Sequence, residues 1–149
     1  MDNQKLINFL NQLLSNYFVM YVKLHRYHWF IQGKHFFQLH EIFEDMYTMA
    51  AKDIDELAER VLMIDGKPLA TMAKYLKEST LEEATADDKE DEITAQLVED
   101  YSQIINEIKQ EGIPYAADQK DEPTVDLLVT LQGKLEKYVW MLYAYRAYE

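Results

Sequence analysis

The sequence predicts an all-α protein, a four-helix bundle whose second and third helices are joined by a long crossover carrying a short helix. Three observations predict it. Apolar residues recur at three- and four-residue spacing through four separate stretches. Only four Gly and three Pro punctuate 149 residues, of which 48% are hydrophobic. The longest stretch without that periodicity lies mid-chain, where a single-crossover bundle needs its long link. A chain of this length is expected to form one domain, residues 1–149, and to bury about 70% of its unfolded surface.

The first helix carries Leu6, Phe9, Leu10, Leu13, Leu14, Tyr17, Met20, Tyr21, Leu24 and Tyr27 on one face and is expected to stop near Gly33, which suits a left-handed C′ position. The second resumes at His35 or Phe36 and runs to about Asp65. Its inward residues are expected to be Leu39, Ile42, Phe43, Met46, Met49, Ile54, Leu57, Val61 and Leu62, with Gly66 and Pro68 ending it. Met72, Tyr75 and Leu76 suggest the short crossover helix. The acidic run from Asp87 to Glu92 reads as a solvated N-terminal turn, where negative charge suits the helix dipole. The third helix spans about Asp88 to Glu111 through Ile93, Leu97, Val98, Tyr101, Ile104, Ile105 and Ile108, and Gly112-Ile113-Pro114 is expected to break it. The fourth starts near Asp121, a good N-cap with Pro123 in the first turn, and its seam is Val125, Leu128, Leu131, Leu135, Tyr138, Leu142 and Tyr145.

Composition excludes several kinds of chemistry. There is no cysteine, which removes disulfides, thiolate metal sites and thiol nucleophiles. A formal net charge of -12 repels phosphate backbones and attracts cations. The N-terminal residues lack the apolar core and basic leader of a signal peptide, and no run of about 18 apolar residues could span a bilayer. A cytoplasmic protein without a membrane partner is the expectation.

All four histidines, His25, His28, His35 and His40, fall within sixteen consecutive positions, and carboxylates follow at helical spacing. That crowding suggests a metal site of imidazole and carboxylate. A di-iron centre inside one bundle normally uses Glu-x-x-His on two helices. Here the residues three before the histidines are Val22, His25, Gln32 and Phe37. On the second helix, however, His40 and Glu44 share a face, as do Asp55 and Glu59. At about 100° per residue, the fifteen steps from His40 to Asp55 return to within roughly 60°, yet they rise about 22 Å. No single ion bridges that within one chain. Two copies crossing antiparallel about a two-fold axis remove the conflict: His40 and Glu44 of one chain approach Asp55 and Glu59 of the other, twice over. Met49-Ala50-Ala51 at the midpoint offers small side chains for close approach, and His28 completes the imidazole side. Such a ligand set suits Fe(II), Zn(II) or Mn(II), and an open, carboxylate-rich site suits redox iron better than structural zinc. Trp29, beside His28, is either an electron donor or a packing wall. The segment D-E-L-A-E-R also fits a solvated helix surface with a Glu56–Arg60 ion pair.

The pattern H-x-x-H-W-x-x-x-G-x-x-F-x-x-L-H-x-x-F-E, followed by D-E-L-A-E-R, resembles the Dps family, the DNA-binding proteins from starved cells or mini-ferritins. The resemblance covers nearly the whole chain, including K-L-E-K-Y-V-W-M in the final helix. It implies a ferritin-like fold, a hollow homo-dodecamer, and oxidation of Fe(II), preferentially by hydrogen peroxide, with ferric mineral stored inside. Carried over by position, the ferroxidase ligands are His28 and His40 from one subunit and Asp55 and Glu59 from its two-fold mate. Glu44 stands where the family often has Asp, and its extra methylene bears on the second metal position. Trp29 matches the family tryptophan, with a catalytic role implied, and His25 lies behind the ligands. Zn or Mn at the same site is the other metal expectation.

The resemblance also implies acid-lined three-fold pores for iron entry, for which Asp118, Glu122 and Asp126 occupy the corresponding region; an ordinary acidic helix start accounts for them as well. Family members that condense DNA use Lys/Arg-rich tails, and the first and last five residues here are not of that kind. Weak or no DNA binding is therefore expected. The alternative function is a non-catalytic DNA-coating or structural assembly protein.

Overall fold

The computed structural model describes residues 3–147. The expectation for the chain's ends rests partly on Met1, Asp2, Tyr148 and Glu149, which lie outside the described residues. Helix α1 spans Gln4–Phe30, α2 Phe36–Met63, α3 Met72–Glu78, α4 Glu90–Glu107, α5 Ile113–Asp118 and α6 Glu122–Arg146. α1 packs along α2 and α4 along α6, while α3, in the crossover, lies on α1. The all-α bundle with a helix-bearing crossover is thus as the periodicity predicts. Among the described residues, no helix is long and apolar enough to cross a membrane.

The sequence seams fold inward with two corrections. On α2 the buried stripe is Leu39, Phe43, Met46, Ala50, Asp53, Leu57 and Val61, spaced by threes and fours throughout. Ile42 and Leu62, expected inward, are 37% and 59% exposed. Each is one step, about 100°, from a stripe residue, Ile42 beside Phe43 and Leu62 beside Val61, and they project on opposite sides of the stripe.

The second correction concerns Gly112-Ile113-Pro114, which does not break the helical path. Residues Ile108–Gly112 form a π-helical turn, and the chain continues directly into α5 with Gly112 and Ile113 both right-handed. An α-turn would set the Pro114 ring against the carbonyl four residues back. Widening the turn, with Ile113 N–H reaching the carbonyl of Ile108, accommodates a proline that has no N–H to offer. Gly112 serves a separate need, since a Cβ there would collide with the buried ring of Phe9. At the other predicted glycine stop, Gly33 does have positive φ (131°), but it lies two residues beyond the Ile31 cap and lets the Glu90 carboxylate pass close to the backbone.

Charged groups also cross the bundle. Lys23, 2% exposed, pairs with Asp100 at 2.6 Å and donates to the Glu82 carbonyl at 2.9 Å, tying α1 to α4 and to the crossover. Asp53, equally buried, accepts from Lys134 of α6 at 3.0 Å; burial raises its pKa and Lys134 works against that. Arg60 pairs with Asp121 at 2.8 Å and donates to Thr124 Oγ1 at 2.8 Å, so its partners are on α6 and not the Glu56 of its own helix. Asp121 also caps α6 through the Thr124 N–H, as its place in the sequence predicts.

The acidic run starts α4 as predicted, but three of its members are paired and not merely solvated. Asp87 meets Arg26, Asp91 meets Arg146, and Glu90 accepts from the His35 N–H at 3.2 Å, from His35 Nδ1 at 2.8 Å and from the Tyr145 hydroxyl. With the Gln32–Lys89 bridge, these contacts fasten the α1–α2 turn to the start of α4 and the end of α6.

Two outcomes follow. Lys23→Ala leaves Asp100 buried without its counter-charge and should cost about 3–5 kcal/mol, read from urea unfolding. For Glu90, burial alone would raise the pKa, but hydrogen bonds from Tyr145 and His35 outweigh it and hold the carboxyl below its usual range. The clasp therefore contributes fully above the ordinary glutamate value, about 4.3, and fades as pH falls through the depressed one. The stability gap between wild type and Glu90→Gln should be constant near neutrality and shrink as pH falls below the ordinary glutamate value.

Candidate metal centre

His28 and His40 approach because α1 ends and α2 begins within a five-residue turn, which folds the two helices side by side. Their rings stack, with centroids 3.7 Å apart and planes within 10°. The arrangement is held reciprocally. His28 Nδ1–H donates to the His40 carbonyl and His40 Nδ1–H to the His28 carbonyl, both at 2.7 Å. Carbonyl acceptors require hydrogen on each Nδ1. In the neutral ring Nε2 is then the nitrogen with the lone pair, the one a metal would take, and the ring orientation is fixed from behind. Glu44 Oε1 lies 3.8 Å from His28 Nε2. His28 is 7% exposed, whereas the Glu44 side chain is largely open to solvent.

Asp55 and Glu59 are exposed further along α2. Among the described residues, no three His, Asp or Glu side chains of one chain gather closely enough to hold a metal ion. An open groove of about 510 Å³ flanks Asp55, lined by Ala51, Ile54, Ala58 and Leu69 among others. Asp118 ends α5, and Glu122 and Asp126 lie in the first turns of α6; all three are exposed.

Behind the imidazole pair is an aromatic pile. His25 donates Nδ1–H to the Tyr21 carbonyl at 2.7 Å and stacks on Tyr47, centroids 3.7 Å apart. Tyr47 meets His28 edge-on at 5.4 Å and Tyr21 at 6.1 Å. Trp29 touches the pile through His25, at 5.5 Å, and is otherwise 66% exposed, so within one chain it is no packing wall. Burial, the Glu44 carboxylate and Tyr21 all raise the Tyr47 pKa, so the phenol keeps its proton at neutral pH. Sequence reading passed over Tyr47. The available signal was its place three residues after Glu44 and seven after His40, on the same helix face.

A family model for the ferritin-like domain matches residues 7–147. The chain is 41% identical over 143 residues to "DNA protection during starvation protein 2" of Bacillus anthracis, covering 96% of this chain and 97% of the relative. Its fold superposes on a Dps protein from Bacillus brevis with a TM-score of 0.94 at 42% identity, covering 97% of this chain and 99% of that one. A Dps protein from Vibrio cholerae, described as a member of a broad superfamily of ferritin-like diiron-carboxylate proteins, gives 0.91 at 39% identity, covering 96% and 89%. Together with the bundle topology and the histidine–carboxylate pattern of the first two helices, these likenesses make the chain a member of the Dps family of ferritin-like proteins.

Proposed function

We propose that this protein stores and detoxifies iron, oxidising Fe(II) to Fe(III), preferentially with hydrogen peroxide, at sites shared between two-fold-related subunits, and holding the ferric product inside a hollow dodecamer in the cytoplasm. The observation that carries the reading is the reciprocally locked His28–His40 pair, whose Nδ1–H groups are both held by backbone carbonyls so that both Nε2 atoms are left for a metal. Glu44 supplies a carboxylate on the same side. Asp55 and Glu59 of the two-fold mate complete the donor set, a mixture of imidazole and carboxylate that suits ferrous iron. The groove beside Asp55, floored by alanines, supports close approach of a second copy of α2. The diiron-carboxylate description of the Vibrio cholerae relative supports iron over Zn(II) or Mn(II), which the same donors would also accept.

The division of labour follows from the chain's own residues. His28 and His40 bind and orient ferrous iron from a rigid backing. Asp55 and Glu59, both exposed, offset the cationic charge. Asp118, Glu122 and Asp126 draw cations towards the α5–α6 corner, for which a net charge of -12 supplies the wider field. Trp29 acts as an electron donor beside the site.

Ferric absorbance after adding Fe(II) and then peroxide under anaerobic conditions tests the assignment. Asp55→Ala should slow oxidation at least tenfold, and His28→Ala likewise, with helical circular dichroism unchanged. Equal rates in wild type and Asp55→Ala would remove the shared-site reading.

The relatives' names speak of DNA protection. In this chain that protection comes from consuming iron and peroxide, not from coating the duplex, because counterion release needs cationic contacts and this surface is strongly anionic. Gel shifts near neutral pH and physiological salt should show weak or no complex; a tight, salt-sensitive band would overturn this.

A further inference from the structure

The aromatic pile behind the imidazole pair does something that a packing wall would not require. Tyr47 contacts His28, and through His25 and Tyr21 it belongs to a continuous set of rings that reaches Trp29 at the surface. Each step is ring to ring, between 3.7 and 6.1 Å. A site that needed only filling would be served by aliphatic side chains. Three of the five, Tyr21, Tyr47 and Trp29, can give up one electron, and Tyr47 is the one of these in contact with His28.

We propose that Tyr47 is a one-electron donor to peroxide when the neighbouring site holds a single ferrous ion, an inference that rests on the iron-oxidation reading above. The need comes from electron counting. Reducing hydrogen peroxide to two waters takes two electrons, and one Fe(II) gives one. Without a second donor the O–O bond breaks to water and hydroxyl radical. With Tyr47 as donor the step balances: Fe(II), the Tyr47 phenol, H2O2 and one proton give Fe(III), the neutral Tyr47 phenoxyl radical and two waters. The phenolic proton ends in the water formed. A second Fe(II) with one proton then returns the phenol and leaves another Fe(III). Tyr47 thus lets a half-filled site carry out the two-electron reaction in two ferrous arrivals. Glu44 gives this chain a particular use for it, since its longer side chain alters the position where the second ion would sit. His25, stacked on Tyr47 and anchored to the Tyr21 carbonyl, is the positioning residue that keeps the rings in contact.

The test uses the full chain loaded anaerobically with one Fe(II) per chain, mixed with peroxide and freeze-quenched for electron paramagnetic resonance, with a spin trap for hydroxyl radical in a parallel sample. Wild type should show an organic radical whose spectrum narrows when ring-deuterated tyrosine is incorporated. Tyr47→Phe keeps the ring but not the donor. It should lose that signal and raise the hydroxyl spin-adduct several-fold. Tyr47→Trp restores an oxidisable ring and should bring the adduct back down, a rescue that a merely structural role would not produce. Iron oxidation with no tyrosyl signal in wild type, or a signal undiminished in Tyr47→Phe, overturns this inference alone. Absence of ferrous oxidation by peroxide in wild type overturns the iron-oxidation reading and takes the inference with it.

Discussion

Two hydrogen bonds, each from an imidazole Nδ1–H to the other residue's backbone carbonyl, join the end of α1 to the first turns of α2. The orientation of both candidate metal-binding imidazoles depends on that exchange. A helix end leaves carbonyls without intrahelical partners, and in this turn one of them is used to orient a side chain twelve residues away. The same bonds decide which imidazole nitrogen faces outward and prevent the rings from rotating. A pair of histidines brought together only by hydrophobic packing would have neither a defined tautomer nor a defined direction.

The rest of the bundle keeps that turn in place. Glu90 accepts from both the backbone and the ring of His35, while Tyr145 closes the contact from α6, so three helix ends meet beside the α1–α2 turn. Lys23 and Asp100 brace α1 against α4 from inside, and Lys134 with Asp53 braces α2 against α6. Buried ion pairs of this kind contribute little net stability against apolar replacements, but they penalise any arrangement that leaves one charge alone. They therefore act on register. They set where α2 sits along its neighbours, and so where His40, Glu44, Asp55 and Glu59 emerge.

The uncovered apolar residues fit the same scheme. Ile42 and Leu62 flank the buried stripe of α2 on opposite sides, about 160° apart, and of the two only Leu62 lies on the side that bears the exposed carboxylates Asp55 and Glu59. An exposed leucine beside exposed carboxylates suits a contact between copies better than a fully solvated surface.

Much was readable from residue order. The four helices and the crossover follow from apolar periodicity, because a bundle's core needs only one stripe per helix. Asp121 as a cap, His40 with Glu44, and the 22 Å separation from Asp55 follow from helix geometry alone. Tertiary packing decided what periodicity cannot encode. The bundle covers a single stripe, which excludes Leu62 and also Ile42, although Ile42 stands three residues after Leu39. Pro114 stays inside a helical path because a π turn, seated on Phe9 through Gly112, accommodates it. Arg60 takes Asp121 and not Glu56, Lys23 and Asp53 become interior charges, and Tyr47 joins His25 and His28, because each contact closes between residues far apart in sequence or on different helices. Local patterns show which way a side chain points on its own helix; only the packing of one helix on another determines what it meets there.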